Sequence, residues 1–158
     1  MLNNHFQEFL SLLDAKGVKF LVVGGYAVGF HGYPRYTGDI DIFVAISPEN
    51  AEKLVEVFKD FGFPNSTKKD YFLESDSSIA IGEPPRRIHI LTGIAAVTFD
   101  ECFKNRVYID SNGLKIPFIG LDALIKTKEA LQRDQDKLDL KHLQSLKKRG
   151  NGKRDIHN

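Results

Sequence analysis

Hydrophobic residues in the first 62 positions alternate between helical spacing and short continuous runs. Apolar side chains recur every three or four positions between Phe6 and Leu13, which is typical of an amphipathic helix. The run Val18–Val23 is short, apolar apart from Lys19 and rich in β-branched residues, as expected for a buried strand. The pattern therefore predicts a helix over 3–16, a strand over 18–23, a short helix over 26–31, a strand over 39–44, and a helix from Ser47-Pro48 to Gly62.

The second half of the chain predicts strands followed by helices. Thr98–Glu101 has the capping-box pattern that starts a helix, and Asn112-Gly113 marks a hairpin turn. The predicted elements are strands over 78–81 and 87–91, a short helix from 98, hairpin strands over 107–109 and 114–119, and helices over 121–133 and 136–148. This order predicts a single α/β domain built on a mixed β-sheet with flanking helices and C-terminal helices.

Composition narrows the class of protein. With 158 residues, of which 42% are hydrophobic, the chain suits one globular domain and is too apolar to be disordered. A single cysteine, Cys102, excludes an internal disulfide framework and favours a reducing, cytoplasmic location. The least charged stretch, 20–34, is shorter than the roughly 20 apolar residues that cross a bilayer, and the N-terminus lacks the pattern of a signal peptide. We therefore expect no membrane partner.

The net charge of +1 is unevenly distributed. Residues 147–158 include five basic residues and one acidic residue, so the rest of the chain carries a net charge of −3. The segment after 148 has no apolar periodicity. We therefore predict a domain over 1–148 and a basic, disordered tail over 149–158.

Two aspartates and a glycine pair are the candidates for chemistry. Asp39 and Asp41 lie two positions apart on a predicted strand, so both side chains leave the same face about 6.6 Å apart at the backbone. Two such carboxylates can hold one Mg²⁺, which prefers oxygen ligands and leaves positions for water and phosphate. At Gly24-Gly25, backbone N–H groups can approach phosphate closely, and the next helix offers its positive N-terminus.

Other phosphate-binding motifs are absent. Tyr26 stands where a dinucleotide fingerprint requires glycine, and no Gly-Lys-Ser/Thr segment follows as in a P-loop. Either half of the candidate site alone is equally compatible with an ordinary strand, turn and helix that expose two aspartates. Together the halves favour a site for a metal ion and a phosphate group.

The segment GGYAVGFHGYPRYTGDIDIFV, residues 24–44, resembles the signature of the polymerase-β-like nucleotidyltransferase superfamily. Its small prokaryotic branch, which includes abortive-infection toxins and stand-alone enzymes, is the most similar. The resemblance continues through 87–94, 98–101 and 128–139, and so covers about residues 18–146. It implies the nucleotidyltransferase fold and the Mg²⁺- or Mn²⁺-dependent transfer of a nucleoside monophosphate from an NTP to a hydroxyl of an RNA, a protein or a small molecule.

The same resemblance implies roles for particular residues: Gly24 and Gly25 hold the triphosphate, Asp39 and Asp41 bind metal, and Arg35 and Thr37 flank the site. Arg35 could pair with a phosphate or with a carboxylate. Lys128 and Arg133 could bind phosphate, pair with Asp136, or lie on a solvated helix face.

His89 stands where this superfamily normally has a third carboxylate, which serves as general base or completes a second metal site. Neutral imidazole can accept a proton but is a poorer Mg²⁺ ligand than a carboxylate. Three interpretations are open: His89 is the base, Glu74, Asp76 or Glu83 replaces the carboxylate, or transfer is impaired. The alternative function is a degenerate nucleotide-binding or interaction module that acts with a protein partner in a toxin–antitoxin or phage-defence system.

Overall fold

The computed structural model describes residues 2–35, 37–64 and 68–157, with side chains up to residue 150, and contains one mixed sheet with flanking helices. The helices are α1 (Asn4–Ala15), α2 (Gly24–His31), α3 (Pro48–Asp60), α4 (Phe99–Lys104), α5 (Leu121–Ala130) and α6 (Asp134–His157). The strands are β1 (Phe20–Val23), β2 (Asp39–Val44), β3 (Ser78–Ile81), β4 (Arg87–Leu91), β5 (Val107–Ser111) and β6 (Leu114–Phe118). The predicted α/β class is confirmed.

The six strands lie in the order β3-β4-β2-β1-β6-β5. β2 pairs antiparallel with β1 and parallel with β4, while β1 pairs parallel with β6. β1 is buried along its whole length, as expected for a central strand covered on both faces. Because β1 and β2 are antiparallel, the last residue of β1 and the first residues of β2 lie at the same end of the sheet.

The hydrophobic core forms where helices pack on this sheet. α1 packs on α3, with Phe9 in edge-to-face contact with Phe58 and Phe61 at centroid distances of 5.7 and 5.0 Å. α5 packs on α6, and α2 contacts both of these helices. Among the described helices, none has the length and apolar content needed to cross a bilayer.

Helix ends are the main difference from the predicted elements. α2 begins at Gly24 rather than at Tyr26, so the glycine pair forms the first turn of the helix. α6 begins at Asp134 and runs to His157, past the predicted end at 148. The division into a domain over 1–148 and a basic tail stays a prediction.

Asn50, a buried residue in the first turn of α3, joins this helix to the β1–β2 pair. Its side-chain Oδ1 accepts a hydrogen bond from the Lys19 backbone N–H at 2.8 Å, and its Nδ2 donates to the carbonyls of Lys19 and Ala45 at 3.2 and 2.8 Å. Lys19 precedes β1 and Ala45 follows β2. One amide therefore satisfies the backbone where both strands meet α3.

We predict that Asn50→Ala lowers the free energy of unfolding by about 1–3 kcal/mol, because it leaves buried backbone groups without partners. Urea denaturation measures this change. Asn4→Ala, the same substitution at an exposed position of α1, should change the free energy by no more than about 0.5 kcal/mol. Equal losses in the two variants would contradict the role given to the Asn50 amide.

Candidate active site

A cleft of about 790 Å³ opens at the end of the sheet where β1 ends and β2 begins. Its volume lies within the range of small-molecule sites. Glu74, Asp76 and Glu83 lie outside its lining, which brings together eight other residues that the sequence singled out: Gly24, Gly25, Arg35, Thr37, Asp39, Asp41, His89 and Lys128. Their chemical roles remain predictions.

Strand alternation positions the two aspartates. Ile40 and Ile42 are fully buried, so Asp39 and Asp41 share the opposite, partly exposed face of β2. The parallel register sets Asp39 opposite Arg87 and Asp41 opposite His89 on β4. Each aspartate therefore has a nitrogen-bearing side chain as its neighbour across the strands.

Arg87 binds both oxygens of Asp39. Its Nε donates to Oδ1 at 2.9 Å and its Nη2 to Oδ2 at 3.1 Å, which is the two-pronged pairing that a guanidinium makes with a carboxylate. The hydrogen bonds and negative charge of Asp39 raise the pKa of Arg87 further. Arg87 is not among the residues that the sequence singled out, although its spacing of two from His89 on a predicted strand places both side chains on the same face.

His89 lies against the second aspartate, with its Nδ1 3.2 Å from Oδ1 of Asp41. Burial raises the pKa of Asp41, the charge of Asp39 adds to this rise, and His89 and Lys128 oppose it. An ionised carboxylate can only accept a hydrogen bond. When Asp41 is ionised, Nδ1 of His89 is therefore the donor, and Nε2 of a neutral ring keeps a free lone pair.

Both glycines leave space for the residues that face them. Gly24 has φ +67°, and a Cβ at this position would overlap Oδ2 of Asp41. A Cβ on Gly25 would lie 2.9 Å from Oγ1 of Thr37, whose hydroxyl donates to the Asp39 carbonyl at 3.0 Å. The absence of side chains at these two positions thus lets the first turn of α2 lie close to Asp41 and Thr37.

Five charged residues form a cluster of ion pairs, and all of them except Asp139 line the cleft. Nζ of Lys128 lies 3.0 Å from Asp136 and 3.1 Å from Asp139. Arg35 binds Asp139 through two hydrogen bonds of 2.9 Å, and Arg133 binds Asp136 at 2.6 and 3.2 Å. The side chain of Lys128 is only 7% exposed, so it does not lie on a solvated helix face. We call these five residues the ion cluster.

The two acids of the ion cluster are held in their ionised forms. Burial alone would raise the pKa of Asp136 and Asp139, but hydrogen bonds from Arg133 and Lys128 to Asp136 outweigh it. Hydrogen bonds from Arg35, Gln135 and Lys128 do the same for Asp139. Both pKa values consequently fall below their ordinary value, as expected for carboxylates with cationic partners.

The donor set fits a single divalent ion. Asp39 and Asp41 offer carboxylate oxygens on one face, and Mg²⁺ is commonly held by one or two carboxylates with water and phosphate completing its shell. Within the ranges that the structure describes, no group of three or more His, Cys, Asp or Glu side chains is arranged to hold a metal. The nitrogen of His89 is a poor substitute for a third oxygen ligand.

None of the acids proposed to replace the third carboxylate lines the cleft. Glu74, Asp76 and Glu83 lie outside its lining, and the further acid within it, Asp136, is paired with Lys128 and Arg133. The structure therefore does not support substitution by another carboxylate. His89 as the base and impaired transfer remain the two open interpretations.

Comparison with solved structures confirms the nucleotidyltransferase fold. The chain is similar to the candidate nucleotidyltransferase TM1012 of Thermotoga maritima, with 15% identity, TM-score 0.53, and coverage of 95% of this chain and 91% of that one. The lincosamide antibiotic adenylyltransferase LnuA in its lincomycin-bound form is 18% identical, with TM-score 0.51, and the match covers 92% of this chain and 98% of that one. An antigenic nucleotidyltransferase-like protein of Paracoccidioides brasiliensis is 13% identical, with TM-score 0.51, and the match covers 90% of this chain and 74% of that one. No family model and no curated protein matches the sequence.

We predict that Gly24→Ala both destabilises the protein and displaces the Asp41 carboxylate, because the new Cβ meets Oδ2. Gly113→Ala is the matched control, since Gly113 also has a positive φ, +85°, but nothing lies within 4 Å of its Cβ position. Each variant should lose about 1–2 kcal/mol of unfolding free energy from the backbone conformation. Only Gly24→Ala should also reduce Mn²⁺ binding, measured by calorimetry, and equal Mn²⁺ binding in the two variants would contradict the steric argument.

We predict that Asp139→Asn lowers the free energy of unfolding by about 3–5 kcal/mol at pH 7, because Arg35 and Lys128 lose a buried partner. The lowered pKa of Asp139 gives stability that is present above its ordinary pKa of 3.8 and is lost as the pH falls through the lower folded value. The difference in unfolding free energy between the wild type and Asp139→Asn should therefore become smaller below about pH 4. Denaturation at several pH values tests this, with the exposed Asp14→Asn as a control that changes little.

Proposed function

We propose that the protein is a metal-dependent nucleotidyltransferase that moves a nucleoside monophosphate from an NTP to a hydroxyl acceptor. The observation that carries this proposal is the pairing of Asp39 and Asp41 with the Gly24-Gly25 turn in one cleft. The confirmed fold supports the same reaction class, although fold alone does not define an activity.

In this proposal Asp39 and Asp41 hold Mg²⁺ or Mn²⁺, which when bound supplies positive charge to the triphosphate and the leaving pyrophosphate. The backbone N–H groups of Gly24 and Gly25 bind phosphate oxygens at the start of α2. Without the ion, two carboxylates in the cleft would repel the triphosphate.

The ion cluster supplies the cationic side of the nucleotide site. Asp136 and Asp139 fix the positions of Lys128, Arg35 and Arg133 before a ligand arrives, so little ordering remains when phosphate binds. The Arg133 side chain is 74% exposed and can contact phosphate from its present position. Lys128 acts mainly through its charge, because its Nζ already has two carboxylate partners.

His89 is the proposed general base. Its Nδ1 is oriented by Asp41, and Nε2 accepts the proton of the acceptor hydroxyl. The hydroxyl oxygen forms a bond to the α-phosphorus, the bond from that phosphorus to the bridging oxygen breaks, and pyrophosphate leaves with the electron pair. Most of the rate enhancement would come from positioning and charge neutralisation, as in other phosphoryl transfers.

The acceptor is defined only as a hydroxyl. The lincomycin-bound neighbour supports a small molecule, since that adenylyltransferase and this chain cover most of each other's length. RNA and protein acceptors, a protein partner and a cytoplasmic location remain expectations from the sequence.

The test is incubation with each α-³²P-labelled NTP, Mg²⁺ or Mn²⁺, and separate pools of RNA, protein and small molecules. We expect label in one pool, and we expect Asp39→Asn and Asp41→Asn to abolish its transfer. His89→Ala should lower the rate by about 10²–10⁴-fold, the usual loss for a general base. Asp122→Asn, a change on an exposed part of α5, controls for altered charge. Labelling that persists in both aspartate variants would contradict the assignment.

The second candidate is a degenerate module that binds nucleotide without transferring it. The observation that favours it is the absence, within the described part of the chain, of a three-residue metal cluster where His89 stands. In that case the wild type transfers no label, whereas His89→Asp gains activity because it provides a third carboxylate. Activity in the wild type that falls in His89→Asp would instead favour the histidine as base.

A further inference from the structure

Arg87 is bound to the carboxylate of Asp39, which the proposed function assigns to the metal. Both oxygens of Asp39 accept hydrogen bonds from this one guanidinium. A divalent cation bound to the same carboxylate would lie a few ångströms from a permanent positive charge, and the two would repel each other. Metal binding at Asp39 therefore requires Arg87 to leave the position that it has in this structure.

Arg87 is more exposed than Arg35, and its carboxylate partner is less buried. The partner of Arg35, Asp139, is completely buried and is also held by Lys128 and Gln135. Arg87 is 41% exposed and projects from β4 into the cleft, where its partner Asp39 is itself partly open to solvent. Because both side chains reach solvent, separating this pair costs less than separating a buried one, despite its two hydrogen bonds.

We propose that Arg87 is a displaceable counter-charge: it neutralises Asp39 before the divalent cation binds, releases that carboxylate to the cation, and then pairs with oxygens of the triphosphate. The inference rests on the proposed function and adds a residue to it. A guanidinium binds two phosphate oxygens with the same planar geometry that it uses for a carboxylate. The same side chain thus weakens metal binding before the nucleotide arrives and strengthens nucleotide binding afterwards.

The first measurement is Mn²⁺ binding to the nucleotide-free protein, followed by electron paramagnetic resonance. Arg87→Gln should bind Mn²⁺ about 2–5-fold more tightly than the wild type, because the competing pair is lost. Arg86→Gln is the matched control, since it removes the same charge from an exposed neighbour that does not line the cleft, and its effect should be smaller. Arg87→Lys keeps the charge without the two-pronged geometry and should give an intermediate value.

The second measurement is the binding of a non-hydrolysable NTP analogue at saturating Mg²⁺, measured by calorimetry. Arg87→Gln should weaken this binding about ten-fold or more, because charged hydrogen bonds to phosphate are lost. Tighter cation binding together with weaker nucleotide binding is not expected from loss of structure, which would weaken both. Thermal unfolding of each variant verifies that it is folded.

The outcomes separate this inference from the proposed function. If the wild type binds Mn²⁺ through Asp39, as shown by loss of binding in Asp39→Asn, but Arg87→Gln binds it no better than Arg86→Gln, the inference is overturned and the function stands. If nucleotide binding is unchanged in Arg87→Gln, the transfer of Arg87 to phosphate is overturned. If no variant binds Mn²⁺, or if Asp39→Asn binds it normally, the proposed metal site fails and the inference with it.

Discussion

The parallel register between β2 and β4 determines the chemistry of the cleft. It sets Asp39 beside Arg87 and Asp41 beside His89, while Ile40 and Ile88 form a buried pair on the other face. If the pairing register of a strand shifted by one residue, its isoleucines would face the cleft and its charged side chains would face the core. Burial of apolar residues on one face of the sheet therefore fixes which polar groups meet on the other.

The acids in and beside the cleft are paired internally. Each has a nitrogen-bearing partner: Asp39 has Arg87, Asp41 has His89, Asp136 has Lys128 and Arg133, and Asp139, just outside the lining, has Lys128 and Arg35. These pairs reduce the cost of burying charges next to the core. Under the proposed function, a divalent cation would replace Arg87 at Asp39, whereas the ion cluster would keep its pairs when phosphate binds.

The charged groups near the cleft differ in how firmly they are held. The ion cluster is anchored by buried carboxylates of α6, whereas Asp39 and Arg87 are both partly exposed. Under the proposed function, the anchored cations would meet the polyphosphate, and the exposed pair would separate when the divalent ion binds.

Much of the architecture follows from local sequence signals. The Ser47-Pro48 cap, the alternation from Asp39 to Ile42 and the Asn112-Gly113 turn each specify a local conformation, because caps, burial patterns and turns act over a few residues. The extent of α6 could not be read in the same way, since its last turns carry no apolar periodicity.

The sequence alone determined that Asp39 and Asp41 share one strand face and that a glycine turn follows the first strand, since both follow from spacing along the chain. That the two meet in one cleft depends on the antiparallel β1–β2 pair. Only the tertiary structure decided that Arg87 binds Asp39 and that Lys128 is buried between two carboxylates of α6. These contacts join residues from elements whose sequence spacing does not define their distance in space. Strand order and helix packing bring them together, and both are set by burial of the whole core rather than by any local signal.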